Sequence, residues 1–372
     1  MKILITNCLL RKTFDILNIV KIHFRDNDII YTADEYLIQI KLIYGKVNFH
    51  KLSEDNFNKD LNIISEKYKN ESIIYLPIEE EITVKFYNFI KIFGNKNFKY
   101  KLPEISKYNL SRNKNELNIF CEINKIPCPK YYSETDIKQK NYTLPLILKP
   151  INGSGSKGIK YINSESDLIF ESINFKKYFL QELLNNPKEV QAGFFLCDKG
   201  KILSFYSHKR IRTFPEHGGV SVLSKSNCNQ KIRNAGEKII KKLNWSGLIM
   251  IEFLEDFDTK EFKIIEINPR LWGSILLSEF NNSCFIHSYL KLCMGKSVKK
   301  QKVLVNKKIR WIFPYDIIYF FKNPQNPFKF FTKDENTCYI NFTYSSFCKS
   351  FIFILLTYFD YKKVKQKLLS GK

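Results

Sequence analysis

The spacing of apolar residues changes period several times along the chain, and each change predicts a different kind of element. Lys2 to Thr6 has the pattern of a strand, and apolar residues recur at helical spacing from about Thr13 to Ile22. Asp28 to Tyr31 and Ser72 to Leu76 are strand patterns again, the second closed by Pro77. This alternation over residues 1 to about 100 predicts a small α/β unit. A helix is predicted from about Lys114 to Asn124. It is stopped at Ile126-Pro127-Cys128-Pro129, where two prolines remove backbone donors. From Leu144 to Lys296 short runs predict a strand-rich region, and after about Lys299 the sequence turns aromatic and basic. The pattern divides the chain into residues 1–100, 101–297 and 298–372.

Within the strand-rich region, Gly247 to Arg270 predicts a hairpin. Leu248 to Phe253 and Phe262 to Ile267 flank the turn-forming run Glu255-Asp256-Phe257-Asp258-Thr259-Lys260. Strict alternation puts Leu248, Met250 and Glu252 on one face of the first strand, and Phe262, Ile264, Glu266 and Asn268 on one face of the second. A turn centred near Thr259 sets Glu266 opposite Glu252. Opposed carboxylates with Cβ atoms about 4.5–5.5 Å apart repel unless a cation lies between them. Oxygen ligands without nearby His or Cys select Mg²⁺ or Mn²⁺ over zinc. The competing reading is a solvated sheet face carrying both glutamates.

A second feature is the strand Pro145 to Pro150, which runs into Ile151-Asn152-Gly153-Ser154-Gly155-Ser156-Lys157-Gly158. Glycines let backbone N–H groups converge on an anion, and Lys149 and Lys157 add positive charge, so the loop suits a triphosphate. The following Ile159-Lys160-Tyr161-Ile162 alternates like a strand, which excludes the helix a dinucleotide site requires. The end of the loop lacks the Gly-Lys-Ser/Thr of a Walker A motif, and no HRD or DFG tripeptide occurs in the chain. A tight glycine hairpin without a ligand is the alternative.

Composition narrows the function classes. At 372 residues and 44% hydrophobic, the chain has material for a substantial core and two or three domains. The net charge of +23 raises a nucleic-acid reading. The basic residues are spread among Asn and Ile along the whole length, however, so no nucleic-acid partner is expected. Anionic small molecules should still be attracted at low salt. Nine cysteines with no CxxC pair are expected to be reduced, and MKILITNCLL reads as a first strand and not a signal peptide. These features point to a cytoplasmic protein. The apolar run within Ser350 to Phe359 falls short of the roughly 20 residues of a spanning helix. A buried helix is expected there, with peripheral membrane contact as the minor alternative.

With these residues in view, the chain resembles the ATP-grasp carboxylate ligases, and especially the branch of carbamoyl-phosphate synthetase large chains and biotin carboxylase. The resemblance spans about residues 1 to 297 and rests on the order of its motifs. These are Lys149-Pro150 with the glycine loop, Gln181-Glu182-Leu183-Leu184, a basic central segment, then Glu252 and Glu266-x-Asn268-x-Arg270. It implies a fold of mixed α/β and α+β character: an N-terminal pre-ATP-grasp α/β domain, an ATP-grasp domain and a short C-terminal extension.

The resemblance assigns Lys149 and Gly153, Ser154, Gly155, Ser156, Lys157 and Gly158 to ATP phosphates, and Gln181 to Leu184 to the hinge beside adenine. Glu182 would accept from the adenine amino group and Glu189 from ribose hydroxyls, unless both are simply solvated. Lys114 stands where the family has a basic residue reaching the nucleotide, although Asn113 replaces the acidic residue that often precedes it. Glu252, Glu266 and Asn268 correspond to the family's Mg²⁺ ligands. Arg270 would meet the γ-phosphate or an acyl phosphate with its planar fork, the alternative being a surface arginine.

In the segment His208 to Ser221, Lys209 or Arg210 could contact the transferring phosphate. Arg212 with the Gly218-Gly219 backbone could hold a substrate carboxylate; a solvated basic loop is the competing reading. The implied chemistry is Mg-dependent phosphorylation of a carboxylate by ATP, followed by attack of an amine or another nucleophile on the acyl phosphate. A nucleotide-binding scaffold without chemistry and a basic nucleic-acid-binding protein are the rival readings. Neither the carboxylate nor the amine, nor the oligomeric state, is legible in the residues.

Overall fold

In the computed structural model, residues 1–35, 38–151, 158–170, 173–184, 190–214, 220–312, 316–323, 327–332, 334–340 and 351 are described. The N-terminal unit alternates β1 (Lys2–Ile5), α1 (Arg11–His23), β2 (Ile29–Ala33), α2 (Ile38–Tyr44), β3 (Phe49–Lys51), α3 (Phe57–Lys67), β4 (Ile73–Tyr75), α4 (Glu80–Phe93) and β5 (Phe98–Lys99). Its strands form one sheet in the order β3-β2-β1-β4-β5, and every pairing is parallel. A parallel sheet needs cover on both faces, which explains why β2 and β4 are buried throughout rather than alternating. The order reverses direction between β1 and β4, and the loops after these two strands flank the crevice at their carboxyl ends.

Two helices, α5 (Ile105–Arg112) and α6 (Lys114–Ile123), lead out of this unit. Asn113 caps α6 by accepting from the backbone N–H groups of Asn115 and Glu116, which places Lys114 in the first helical turn. A small four-stranded sheet follows, with β6 (Tyr131–Tyr132), α7 (Glu134–Lys138), β7 (Leu146–Pro150), β8 (Lys160–Ile162) and β9 (Tyr178–Glu182) in the strand order β6-β9-β7-β8. The glycine loop connects β7 to β8. Of that loop, Gly153 to Lys157 lie outside the described residues, and Gly158 is present with φ +77°.

The large sheet carries most of the remaining chain: β10 (Gln191–Asp198), β11 (Lys201–Phe214), β12 (Val220–Asn227), α8 (Gln230–Lys242), β13 (Gly247–Glu255), β14 (Phe262–Asn268), α9 (Leu276–Phe280) and α10 (Phe285–Cys293). After them come β15 (Lys308–Trp311), α11 (Ile317–Lys322), α12 (Pro327–Phe331) and β16 (Thr337–Ile340). The strand order is β14-β13-β10-β11-β12-β15-β16, so β15 and β16 extend the same sheet.

One face of the large sheet, with Phe194, Tyr206 and Leu248, shares a continuous core with Trp272, Phe285 and the β1–α1 side of the N-terminal unit. The other face, with Phe195, Ile249, Ile251 and Phe253, packs under α8 and against α5 and α6. Close approach is enforced at two glycines. A Cβ on Gly247, whose φ is +92°, would meet the Lys101 carbonyl oxygen at 2.1 Å, and one on Gly236 would meet the Phe195 ring at 2.4 Å.

Candidate functional site

The register of the β13–β14 hairpin pairs Glu252 directly with Glu266, and Met250 with Asn268. The strands do not alternate uninterrupted. Phe253 pairs with Ile264, so Ile265 is an extra residue that bulges out of the ladder. The bulge exchanges the faces on either side of it. Phe262 and Ile264 therefore join the core beneath α8, while Glu266 and Asn268 face the other way with Met250 and Glu252. This corrects the expectation that Phe262, Ile264, Glu266 and Asn268 share a face; strict alternation cannot anticipate an inserted residue.

The row of Glu252 and Glu266 continues across the sheet through Ala192 of β10 to His208 of β11. Arg210, two residues beyond His208 on the same face, donates from Nη2 to Glu252 Oε1 at 2.9 Å. Lys209 belongs to the opposite face, opposite Gln191 and Lys225, so alternation separates it from the carboxylates. Burial drives the His208 imidazole down to about 3, with the Arg210 charge adding to the effect, so it stays neutral.

From the other side, Lys114 Nζ approaches Glu266 Oε1 at 3.8 Å. Burial raises the Glu266 carboxyl above its ordinary range, and the facing Glu252 pushes it further. Asn268 is buried, and its Oδ1 accepts from Arg270 Nη2 at 2.8 Å. Three oxygen donors from β13 and β14 thus each have a basic partner: Glu252 with Arg210, Glu266 with Lys114, and Asn268 with Arg270. The donor set of two carboxylates and one amide oxygen fits a hard divalent cation.

The small sheet closes the site from above. Lys149 Nζ donates to Gln181 Oε1 at 2.9 Å, both side chains rising from paired strands. Burial lowers the Lys149 ammonium to about 8, against the pull of Glu266, and nearby Lys114 adds to the lowering. Glu182 Oε1 accepts from Lys263 Nζ at 2.7 Å and from the Lys130 backbone N–H at 3.0 Å, so this oxygen is engaged within the chain. The Leu183 N–H is bonded to the Pro145 carbonyl, and Leu184 is buried beside them. Glu189 lies outside the described residues, as do Gly218 and Gly219.

Arg212 is placed apart from the carboxylates. Its Nη1 pairs with Asp316 Oδ1, and Arg310 Nε bonds the other Asp316 oxygen at 2.6 Å. Arg212 also stacks over Tyr319 and Phe330, with its guanidinium carbon 4.9 and 5.1 Å from the ring centroids. A role for Arg212 in binding a substrate carboxylate meets this competing carboxylate from the C-terminal segment.

Sequence reasoning missed the contribution of the N-terminal unit. Glu80, in the first turn of α4, accepts from Arg270 Nε at 3.0 Å and from Arg112 Nε at 3.4 Å. The Leu271 N–H bonds the Pro77 carbonyl at 2.8 Å, tying the strand that ends at Asn268 to the loop after β4. Lys12 donates to the Ile78 carbonyl, and burial with the Arg270 charge lowers its ammonium to about 7. The only sequence signal was the acidic run Glu79-Glu80-Glu81 directly after a strand, which by itself reads as ordinary helix-start charge.

The sequence profile of the family described as ATP-grasp domain matches residues 112–274. The carbamoyl phosphate synthase large chain of Thermoanaerobacter sp. (strain X514) is 27% identical over 211 residues, covering 53% of this chain and 20% of that protein. Acetyl-CoA carboxylase 2 of Arabidopsis thaliana is 24% identical over 139 residues, covering 34% and 6%. The chain thus spans a fifth or less of the length of these curated relatives. Among solved structures, Campylobacter jejuni biotin carboxylase superposes with a TM-score of 0.64 at 17% identity, covering 82% of this chain and 73% of that one. An ADP complex of Staphylococcus aureus N5-carboxyaminoimidazole synthetase gives 0.61 at 18%, covering 82% and 80%. The chain has the ATP-grasp fold, and residues 112–274 match the ATP-grasp domain family.

Proposed function

We propose that this ATP-grasp protein is a Mg-dependent ligase that phosphorylates a substrate carboxylate with ATP and passes the acyl group to an amine or another nucleophile. One observation carries the reading: each of the three side chains Glu252, Glu266 and Asn268 is matched, through one oxygen, to a basic side chain that could instead meet phosphate. A divalent cation held by those oxygens would supply charge neutralisation on the phosphates. Arg210, Lys114 and Arg270 would then turn to the phosphate oxygens they are now kept from, with Lys149 above them. Arg270 would hold the acyl phosphate in its fork, with Glu80 restraining the guanidinium from the N-terminal side. The chain would act by orienting two substrates and stabilising developing charge, without a covalent enzyme intermediate.

The test is ADP release with Mg-ATP across a panel of amino acids and other carboxylates, with hydroxylamine present to trap acyl phosphate. A carboxylate-dependent hydroxamate is expected. Tight ATP binding without ADP release by any carboxylate would instead favour a nucleotide-binding scaffold.

A further inference from the structure

The C-terminal segment has an inner and an outer side. Inward, Phe330 is buried under the Arg310 guanidinium, 4.2 Å from its carbon, and Phe320 packs on Phe330 at 4.6 Å between centroids. Outward, the same two short helices leave Phe321 74% and Phe328 85% exposed, with Ile318 and, further along, Phe351 also exposed. Single exposed apolar residues are ordinary on a monomer, but two nearly naked phenylalanines on adjacent helices are not explained by the packing of this fold.

Charge follows the same segment. Residues 298–372 hold fifteen Lys and Arg against four Asp and Glu, whereas the preceding 297 residues hold forty-five against thirty-three. About half of the net positive charge therefore sits in a fifth of the chain. One of the four acids, Asp316, is fully buried against Arg212 and against Arg310 of the same segment, so this buried pair leaves the segment's surface excess unchanged. In sequence, Phe351 opens the run Ile352-Phe353-Ile354-Leu355-Leu356, and Lys362, Lys363, Lys365 and Lys367 follow with no acid beyond Asp360. The residues from Ile352 onward lie outside the described ones.

We infer that the outer side of α11 and α12 docks on a lipid bilayer bearing anionic headgroups. Phenylalanine rings enter the headgroup and acyl boundary, and lysines keep their ammonium groups among anionic phosphates. The contact is interfacial: among the described residues no helix is long and apolar enough to cross a membrane. A second copy of this chain is a poor occupant, because two faces with the same basic excess repel. A nucleic acid would use the charge and leave the rings in water.

The full chain is to be sedimented with phosphatidylcholine vesicles, with and without phosphatidylglycerol. Partitioning is expected to be at least about tenfold stronger on the anionic vesicles. The double variant Phe321→Ser/Phe328→Ser should lose about tenfold of that binding with an unchanged melting temperature, since both rings are in solvent. In a Phe321→Trp variant, brominated anionic lipid should quench the added emission. Binding that ignores the double variant and the quencher would be charge adsorption of a basic protein, and it overturns the inference. So does equal partitioning onto neutral vesicles, or no partitioning at all. A concentration-dependent dimer that the serine variants dissociate and vesicles fail to displace would assign the face to a second copy, against the inference.

Discussion

Arg210 and Arg212 stand two residues apart on one strand and have opposite fates. Arg210 pairs with Glu252, and both keep some contact with solvent, with side-chain exposures of 24% and 14%. Arg212 pairs with Asp316, which is 0% exposed and is held by a second arginine from β15. The register shifts around Ile211 turn the second guanidinium toward the C-terminal segment. The carboxylates on the Arg210 side lie next to Lys114, Lys149 and Arg270, so their partners can be traded for a cation and phosphate. Around Arg212 the charges are enclosed by Tyr319 and Phe330 and have nothing to trade with. A charge pair at the mouth of a cleft is available for chemistry; an enclosed one holds elements together.

The contrast breaks most readily at Glu266. Glu266→Gln should drop ADP release to background, on the order of 10³-fold or more, with the melting temperature kept, because one ligand charge is lost at nearly constant volume. Turnover near wild type would end the assignment of that pair to exchange. Asp316→Asn should do the reverse. It leaves Arg212 and Arg310 buried against a neutral amide and should cost about 3–5 kcal/mol of stability in denaturant titration. Per folded molecule its kcat should stay within a few-fold; a large kcat loss at full stability would make Asp316 part of the chemistry.

Arg270→Lys keeps the charge but loses the fork shared between Asn268 and Glu80, and should lower kcat about 10–100-fold, with Arg270→Ala worse. A change confined to the KM for ATP would reduce Arg270 to a ground-state contact. The smallest effect is a titration. Lys149 is held down to about 8 in the free protein, and a bound phosphate should raise it again. ATP affinity should therefore weaken about tenfold between pH 7 and pH 9, as the free protein loses that proton. In Lys149→Arg the profile should be flat over this range. A flat wild-type profile would remove Lys149 from the phosphates.

What was legible in the sequence was local. The opposition of Glu252 and Glu266 follows from one hairpin and its turn, and the helix from about Lys114 to Asn124 follows from a local pattern and a proline stop. Contacts made over long separations left no local trace. Glu80 meets Arg270 across 190 positions, and Asp316 meets Arg212 across 104. The helix α4 went unread because Ile82, Val84, Phe86 and Phe89 are residue types equally at home in a strand. Lys209 was grouped with Arg210 by adjacency, although neighbours on a strand point apart.

The single unpaired residue at Ile265 has a consequence for how this hairpin tolerates change in length. On its turn side the apolar positions belong to the core under α8, and on its cleft side the same parity carries Glu266 and Asn268. Removing Ile265 would leave plain alternation, with Ile264 still opposite Phe253 and Glu266 still opposite Glu252. Removing Ile267 instead would turn Asn268 into the core, or drive Glu266 there beside Ile251. Insertions and deletions confined to the turn at 256–261 leave that phase alone. Loss of a residue should therefore be tolerated at the tip of this hairpin and at its bulge but not at positions 266–268, a pattern that deletion scanning of residues 255 to 268 would read out position by position.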